Sequence, residues 1–198
     1  MWDQRYSISE YFYGKLPNQF LSEHVSVIPQ GARVLALADG EGRNGVWLAE
    51  QRLSVLSVDA SCVAQTKARQ LAEERGVQLD FQCIDLLTWD WPQDTFDAIV
   101  CIFIQFVAGE DRERLFEGIR RATRPGGLVV LQGYTPRQLD YRTGGPGHPD
   151  NMYTEAWLRA AFSGWDVLHL REHDSHIVEG QGHHGMSALI DLIVRKPA

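Results

Sequence analysis

Apolar and polar positions along the chain repeat with two alternating periods, which is the pattern of an α/β protein. Seven runs have the apolar content or the two-residue alternation of strands: 33–38, 54–59, 77–85, 96–104, 127–134, 165–177 and 186–197. Helical patterns lie between most of these runs: 19–28, the segment after Gly45, 61–76, 110–127 and 154–162. Asn18 and Thr154 are suited to cap the helices that follow them, and Gly76 is suited to end one.

The order of these segments predicts how the strands pair. Strands that alternate with helices form a parallel sheet, whereas the last two strands are joined by a short glycine-rich link and should pair antiparallel. We therefore expect one α/β domain, 1–198, built on a doubly wound, mostly parallel, Rossmann-like seven-stranded sheet with a C-terminal antiparallel hairpin. The segment 1–30 is expected to form an N-terminal cap, and the glycine- and proline-rich segment 134–153 a lid loop.

Composition and charge indicate which classes of binding partner to expect. The formal net charge is −7 and no run of lysine or arginine stands out, so we expect no nucleic acid and no anionic membrane as partner, but a small molecule. The N-terminus lacks the basic region and apolar stretch of a signal peptide, which predicts a cytoplasmic protein. The longest apolar run, 98–104, is much shorter than the roughly 20 residues of a membrane-spanning helix.

The cysteines and histidines suggest neither a disulfide nor a metal site. Cys62, Cys83 and Cys101 are odd in number, far apart and set in apolar runs, so we expect buried, reduced thiols. Five of the seven histidines crowd the last two strands, but their spacing suits no usual ligand set. No metal is expected.

The sequence "GEGRNG" directly follows the first strand and satisfies G-x-G-x-x-G, a spacing that suits loops binding NAD or S-adenosylmethionine. The second strand ends at Asp59, 17 residues after Gly42, where a carboxylate can accept hydrogen bonds from either cofactor's ribose. The third strand ends in "CIDLL", which places Asp85 to accept from an adenine amine and Leu86 beside the ring. These residues favour an adenosine-containing ligand.

Four segments taken in order resemble the class I S-adenosylmethionine-dependent methyltransferases: "VLALADGEGRNGVWLA", "VLSVDAS", "CIDLL" and "RATRPGGLVVLQGY". Three further segments are similar to a bacterial branch that includes tellurite-resistance-type enzymes: "YFYGKLPNQFL", "YTPRQLDYRTGGPGHPDNMY" and "HHG". The resemblance implies that S-adenosylmethionine is the cofactor. It implies cofactor contacts from Asp39, Gly40, Gly42, Asn44, Asp59, Ala60, Asp85 and Leu86.

One position departs from the pattern of that class. Members usually carry an acid in the first strand that helps to hold the methionine ammonium of the cofactor, and here Ala36 stands in its place. Asp39 adjoins the end of the same strand, and we take it as the substitute. A solvated turn acid is the alternative interpretation of Asp39.

Methyl transfer from a sulfonium needs positioning and exclusion of water more than it needs acid–base groups. Gln105, where the similar branch often has histidine, cannot act as a base, which favours a soft acceptor such as a thiol. Gln105, Tyr134 and His183 are predicted catalytic residues, and Tyr13, Asn18, Tyr141 and Tyr153 are predicted to contact the acceptor. The alternatives are a non-catalytic metabolite-binding protein on the same fold and an NAD-dependent oxidoreductase.

Overall fold

The structure is a computed structural model that describes residues 2–198, and its centre is one seven-stranded sheet. The strands are β1 (Arg33–Leu37), β2 (Ser54–Asp59), β3 (Asp80–Cys83), β4 (Phe96–Ile102), β5 (Thr123–Tyr134), β6 (Asp166–Glu179) and β7 (His183–Arg195). Their spatial order is β3-β2-β1-β4-β5-β7-β6. The first five strands pair in parallel and β7 pairs antiparallel with both β5 and β6. The predicted fold class is confirmed.

Helices connect β1 to β2, β2 to β3 and β4 to β5, and polar side chains cap several of the helices. The helices are α1 (Trp2–Tyr6), α2 (Gln19–His24), α3 (Arg43–Glu50), α4 (Cys62–Arg75), α5 (Gly109–Ala122), α6 (Gln138–Tyr141) and α7 (Glu155–Ala161). The side chains of Asn18 and Thr154 accept hydrogen bonds from backbone N–H groups three residues later, as predicted. Gly76 ends α4 in the left-handed conformation.

Several elements differ in length from the prediction. The helix expected over 110–127 ends at Ala122, because the residues that follow extend β5, in which Thr123 pairs with Phe96. The third strand was expected over 77–85, but only Asp80–Cys83 pairs, because β3 is an edge strand whose sole neighbour is the end of β2. The hairpin is longer than expected, since β6 and β7 pair as far as Glu179 and His183 and leave only residues 180–182 as the link. The sequence "HHG" therefore begins β7 and is not a turn.

The core has two layers, one on each face of the sheet. Successive residues of β1 alternate between them: Val34 packs on the face covered by α2 and α3, and Leu35 on the face covered by α5 and α7. Both side chains are fully buried. Within residues 2–198, no helix combines the length and the apolar character needed to cross a membrane.

The prediction of three reduced core thiols is wrong for two of them. Cys62 and Cys83 form a disulfide, with their Cα atoms 5.2 Å apart, and both residues are exposed. The pairing arises because Cys62 is the first residue of α4, while the last residue of β3, Cys83, lies opposite Asp59 at the end of β2. Such closeness depends on strand register, which the spacing of the cysteines does not reveal. Cys101 is buried and free, as expected.

Candidate cofactor and acceptor site

A cavity of about 550 Å³ lies at the carboxyl ends of the parallel strands, next to the point where strand order reverses between β1 and β4. Ligands of doubly wound sheets bind at this position. The predicted site residues that line it are Tyr13, Asp39, Gly40, Asn44, Asp59, Ala60, Asp85, Leu86, Gln105, Tyr134 and His183. The fold thus brings together residues from seven separate parts of the chain.

Four predicted site residues are not among those that line the cavity. Gly42 is the N-cap of α3, with φ of 85°, and a Cβ there would lie 2.6 Å from the Cβ of Ala68, so this glycine allows α3 to approach α4. Asn18 is fully buried and caps α2. Tyr153 is buried in the core, and Tyr141 is half-buried on α6.

The glycine loop and the end of β2 hold each other in place. Gly40 N–H donates to Asp59 Oδ2 at 2.9 Å, and Ser61 N–H donates to Asp59 Oδ1 at 2.8 Å. A Cβ on Gly40 would lie 2.8 Å from the hydroxyl of Tyr6, so only glycine fits beneath this tyrosine. Burial raises the pKa of Asp59 above its usual value. Each carboxylate oxygen keeps a lone pair that can accept from a ribose hydroxyl.

Asp39 is not a solvated turn acid, so that alternative is wrong. Its carboxylate is buried and accepts hydrogen bonds from Gly45 N–H, at 3.1 and 3.2 Å, and from the Ser57 hydroxyl at 2.8 Å. Burial raises the pKa of Asp39 to about 7 against the opposing effect of these donors. The proposed role with the cofactor ammonium stays a prediction.

An anchor that was not predicted from the sequence joins the N-terminal segment to the glycine loop. The buried side chain of Glu41 accepts from Phe12 N–H at 2.7 Å and forms an ion pair with Lys67. Lys67 also donates to the carbonyl oxygens of Ile8 at 3.0 Å and Glu10 at 2.6 Å. The detectable signal was a lysine on the helical face that also carries small and apolar residues of α4.

Aromatic rings form the opposite wall of the cavity. The His183 ring stacks between Tyr13 and Phe103, with ring centroids 4.6 and 4.3 Å apart. The Tyr134 hydroxyl is hydrogen-bonded to Nδ1 of His183 at 2.6 Å. Burial, with smaller contributions from Arg43 and Arg5, lowers the pKa of His183 to about 3. The imidazole is therefore neutral at physiological pH.

Gln105 contacts the cavity but uses its amide to fix the backbone of Tyr134. Its Oε1 accepts from Tyr134 N–H at 2.6 Å, and its Nε2 donates to the Tyr134 carbonyl at 2.8 Å. This paired contact favours a positioning role for Gln105, through Tyr134.

A second missed contact joins the glycine loop to the hairpin. Arg43, within the loop sequence, forms an ion pair with Glu179 at 2.6 Å, and both side chains are less than 10% exposed (8% and 9%). Glu179 also accepts from Asn18 Nδ2 at 2.9 Å. Arg43 and Glu179 are 136 residues apart in sequence, so no local pattern could have paired them.

Comparison with known proteins places these features in a family. A family model described as a methyltransferase domain matches residues 34–127. Phosphatidylethanolamine N-methyltransferase of Cereibacter sphaeroides is 30% identical over 68% of this chain and 66% of its own length. A tRNA 5-carboxymethoxyuridine methyltransferase of Escherichia coli is 27% identical over 71% of this chain and 62% of its own. The chain thus spans about two thirds or less of these relatives.

Solved structures show the same fold. TehB from Haemophilus influenzae superposes with a TM-score of 0.72 at 18% identity, over 89% of this chain and 61% of that one. The sheet and the acids at the ends of β2 and β3 define an α/β protein suited to an adenosine-containing ligand.

The chain belongs to the class I S-adenosylmethionine-dependent methyltransferases, and S-adenosylmethionine is its cofactor. The residues that line the cavity are suited to bind this cofactor. The buried carboxylate of Asp59, which lines the cavity beside Gly40, suits a ribose.

Proposed function

We propose that the protein transfers the methyl group of S-adenosylmethionine to a small acceptor that is already ionised when it binds, such as a thiolate. The observation that carries this proposal is the burial of His183 in the cavity wall, with its ring stacked between Tyr13 and Phe103 and its Nδ1 bonded to the Tyr134 hydroxyl. When bound, the cofactor supplies an electrophilic methyl group on a sulfonium, whose departure needs no protonation.

The residues at one end of the cavity would hold the adenosine. Asp59 would accept from the ribose hydroxyls, Asp85 from the adenine amine, and Leu86 would pack on the ring. Asp85 is exposed and bonds only locally, to Leu87 N–H at 3.0 Å, so its carboxylate remains available. These roles leave the aromatic end of the cavity for the acceptor.

The acceptor half is poorly suited to remove a proton. A general base works best when its pKa is close to the working pH, and a pKa of about 3 makes His183 a weak base. Burial moves the pKa of Tyr134 upward, so its hydroxyl stays protonated. Arg5, on the rim of the same half, adds a positive charge that favours an anionic acceptor. A thiolate meets these conditions, whereas an alcohol or amine would need a base.

The volume of the cavity, about 550 Å³, and the net charge of −7 support a small acceptor rather than a nucleic acid. The phosphatidylethanolamine and tRNA enzymes among the relatives act on different acceptors, so their names do not choose one for this chain.

The test is an acceptor screen that measures S-adenosylhomocysteine release with thiols, selenols, amines, phenols and carboxylates. We expect turnover with thiols, rising with pH as the thiolate fraction rises, and a change of less than about tenfold in His183→Gln. A preference for amines or alcohols together with a loss of about 100-fold or more in His183→Gln would contradict the proposal. Cofactor binding without turnover of any acceptor would favour the non-catalytic alternative.

A further inference from the structure

We propose that Cys62 and Cys83 form a redox site, at which a small dithiol opens the disulfide and thereby weakens cofactor binding. The pair lies beside the adenosine end of the cavity. Cys62 follows the cavity residues Asp59 and Ala60, and Cys83 precedes the cavity residue Asp85. The inference rests on the proposed cofactor contacts of these three residues.

Solvent reaches this pair but not the third cysteine. Cys62 and Cys83 are both exposed, and their Cα separation of 5.2 Å lies in the ordinary range for a disulfide. Cys101 is fully buried in β4, and burial raises the pKa of its thiol. A dissolved dithiol should therefore exchange with the pair and leave Cys101 untouched.

The exchange is a two-electron reduction that needs only the dithiol. One thiolate of the reagent attacks Sγ of Cys83, the Cys62–Cys83 bond breaks, and Cys62 leaves as a thiolate. Cys62 is the better leaving group because it begins the 14-residue helix α4, whose N-terminus favours a negative charge. The second thiolate of the reagent then attacks the mixed disulfide and releases Cys83. The reagent ends as its own disulfide, and the two cysteines each gain a proton from solvent.

The disulfide secures the edge of the sheet next to Asp85. β3 has four residues, three of them exposed, and pairs only with β2. Beyond Cys83, Ile84 N–H donates to the Asp59 carbonyl at 2.9 Å, and the chain then turns to Asp85. The cross-link ties this turn to the start of α4 and so holds Asp85 and Asp59 at a fixed separation. Without the cross-link, cofactor binding must also order the turn, which lowers affinity.

The experiment compares S-adenosylhomocysteine binding by calorimetry in three samples: air-oxidised protein, protein reduced with dithiothreitol, and Cys62→Ser/Cys83→Ser. Thiols are counted in each sample with a chromogenic disulfide, before and after denaturation. We expect one thiol in denatured oxidised protein and three in denatured reduced protein. We expect the dissociation constant to rise about three- to tenfold on reduction, and to be equally high in the double variant with or without dithiothreitol.

Two results would overturn the proposal: three thiols in the denatured oxidised protein, or the same affinity in both redox states. The double variant separates loss of the cross-link from a direct effect of the reductant. Failure of the proposed function gives a different result. The acceptor screen would then show no turnover, while cofactor affinity would still differ between the oxidised and the reduced protein. An unchanged affinity in an Asp59 variant would refute the proposed ribose contact. The difference in affinity between the oxidised and the reduced protein could still be measured.

Discussion

Asp39 makes the stability of the folded protein depend on pH. Burial raises its pKa from 3.8 to about 7, so between these values the folded state keeps a proton that the unfolded chain has lost. The contribution of Asp39 to stability is therefore greatest below about pH 4, falls as the pH rises to about 7, and is constant above that. Urea denaturation should show Asp39→Asn to be more stable than the native protein near pH 8, by about 1–2 kcal/mol, with no such gain near pH 4. An equal effect at both pH values would contradict this assignment.

The protonation of Asp39 also tests whether its carboxylate binds the methionine ammonium of the cofactor. An ammonium placed beside Asp39 would stabilise the carboxylate and expel its proton, so S-adenosylhomocysteine should bind more tightly as the pH rises towards 7. Calorimetry near pH 6.5 in buffers of different ionisation enthalpy measures the proton released. Asp39→Asn should abolish that release. Binding without proton release would restrict Asp39 to its contacts with Gly45 and Ser57.

Asp59 has a structural task besides its proposed contact with ribose. Its two oxygens accept from Gly40 and Ser61 N–H, so an alanine substitution would disturb the loop as well as the ligand. Asp59→Asn keeps an acceptor but removes the charge, and we expect S-adenosylhomocysteine affinity to fall at least about tenfold. Asp166→Asn, at an exposed acid at the start of β6, is the matched control and should bind normally. Equal affinity in both variants would refute the ribose contact.

At the level of residues, sequence could identify groups whose role follows from a position at a strand end. Asp59, Asp85 and Gly40 line the cavity because the strand pattern alone places them at its ligand-binding edge. Glu41 and Glu179 could not be assigned, since each acts through a partner distant in the chain. Asn18 shows the same limit: its capping role was predicted, but its bond to Glu179 was not.

At the scale of elements, we propose that only part of the predicted lid loop 134–153 moves when ligands bind. Its ends are fixed, because Tyr134 and Tyr153 are buried and Tyr153 N–H donates to the Tyr134 carbonyl at 3.0 Å. A β-bridge joins Gly144 to His183, whereas the glycine-rich stretch 144–147 lines the cavity and most of 144–150 is exposed. We therefore expect closure over the acceptor to involve 145–150 alone.

Ligand binding should protect this stretch. With S-adenosylhomocysteine and an acceptor present, amide exchange in 145–150 and trypsin cleavage after Arg142 should slow at least about threefold. Cleavage after Arg137, which precedes the stretch and is paired with Asp174 at 2.8 Å, is the internal reference. If protection is the same with and without ligand, the loop is a fixed part of the wall.

The elements themselves could be predicted wherever a local signal existed. Periodicity and caps identified α2, α4 and α7 and the succession of strands along the chain, because both signals arise from neighbouring residues. The short β3 and the long hairpin could not be predicted, because the length of a paired strand depends on its neighbour. The disulfide could not be predicted for a similar reason, since it depends on the register between β2 and β3.

At the scale of the whole molecule, we propose that Glu41 and Lys67 hold the N-terminal segment over the cavity. Lys67→Met/Glu41→Gln removes the ion pair without leaving a single buried charge, which would itself destabilise the fold. We expect S-adenosylhomocysteine to dissociate about tenfold faster from this variant, as measured by stopped flow, because the segment that carries Tyr6 and Tyr13 is released. Lys15→Met, which breaks an exposed ion pair of the same segment with Glu74, is the control and should change little. Unchanged dissociation in both variants would show that the segment does not retain the ligand.

The ion pair between Arg43 and Glu179 also affects how the protein is made. A ribosome synthesises Arg43 136 residues before Glu179, so for most of translation this guanidinium has no counter-ion. The nascent chain can pair β1 to β4 early, since all four strands are synthesised before residue 103, but one wall of the cavity is completed only when the last hairpin has been synthesised. Until then the incomplete domain exposes the groove to chaperones and proteases, and the cofactor can add its stabilising effect only after the hairpin has emerged.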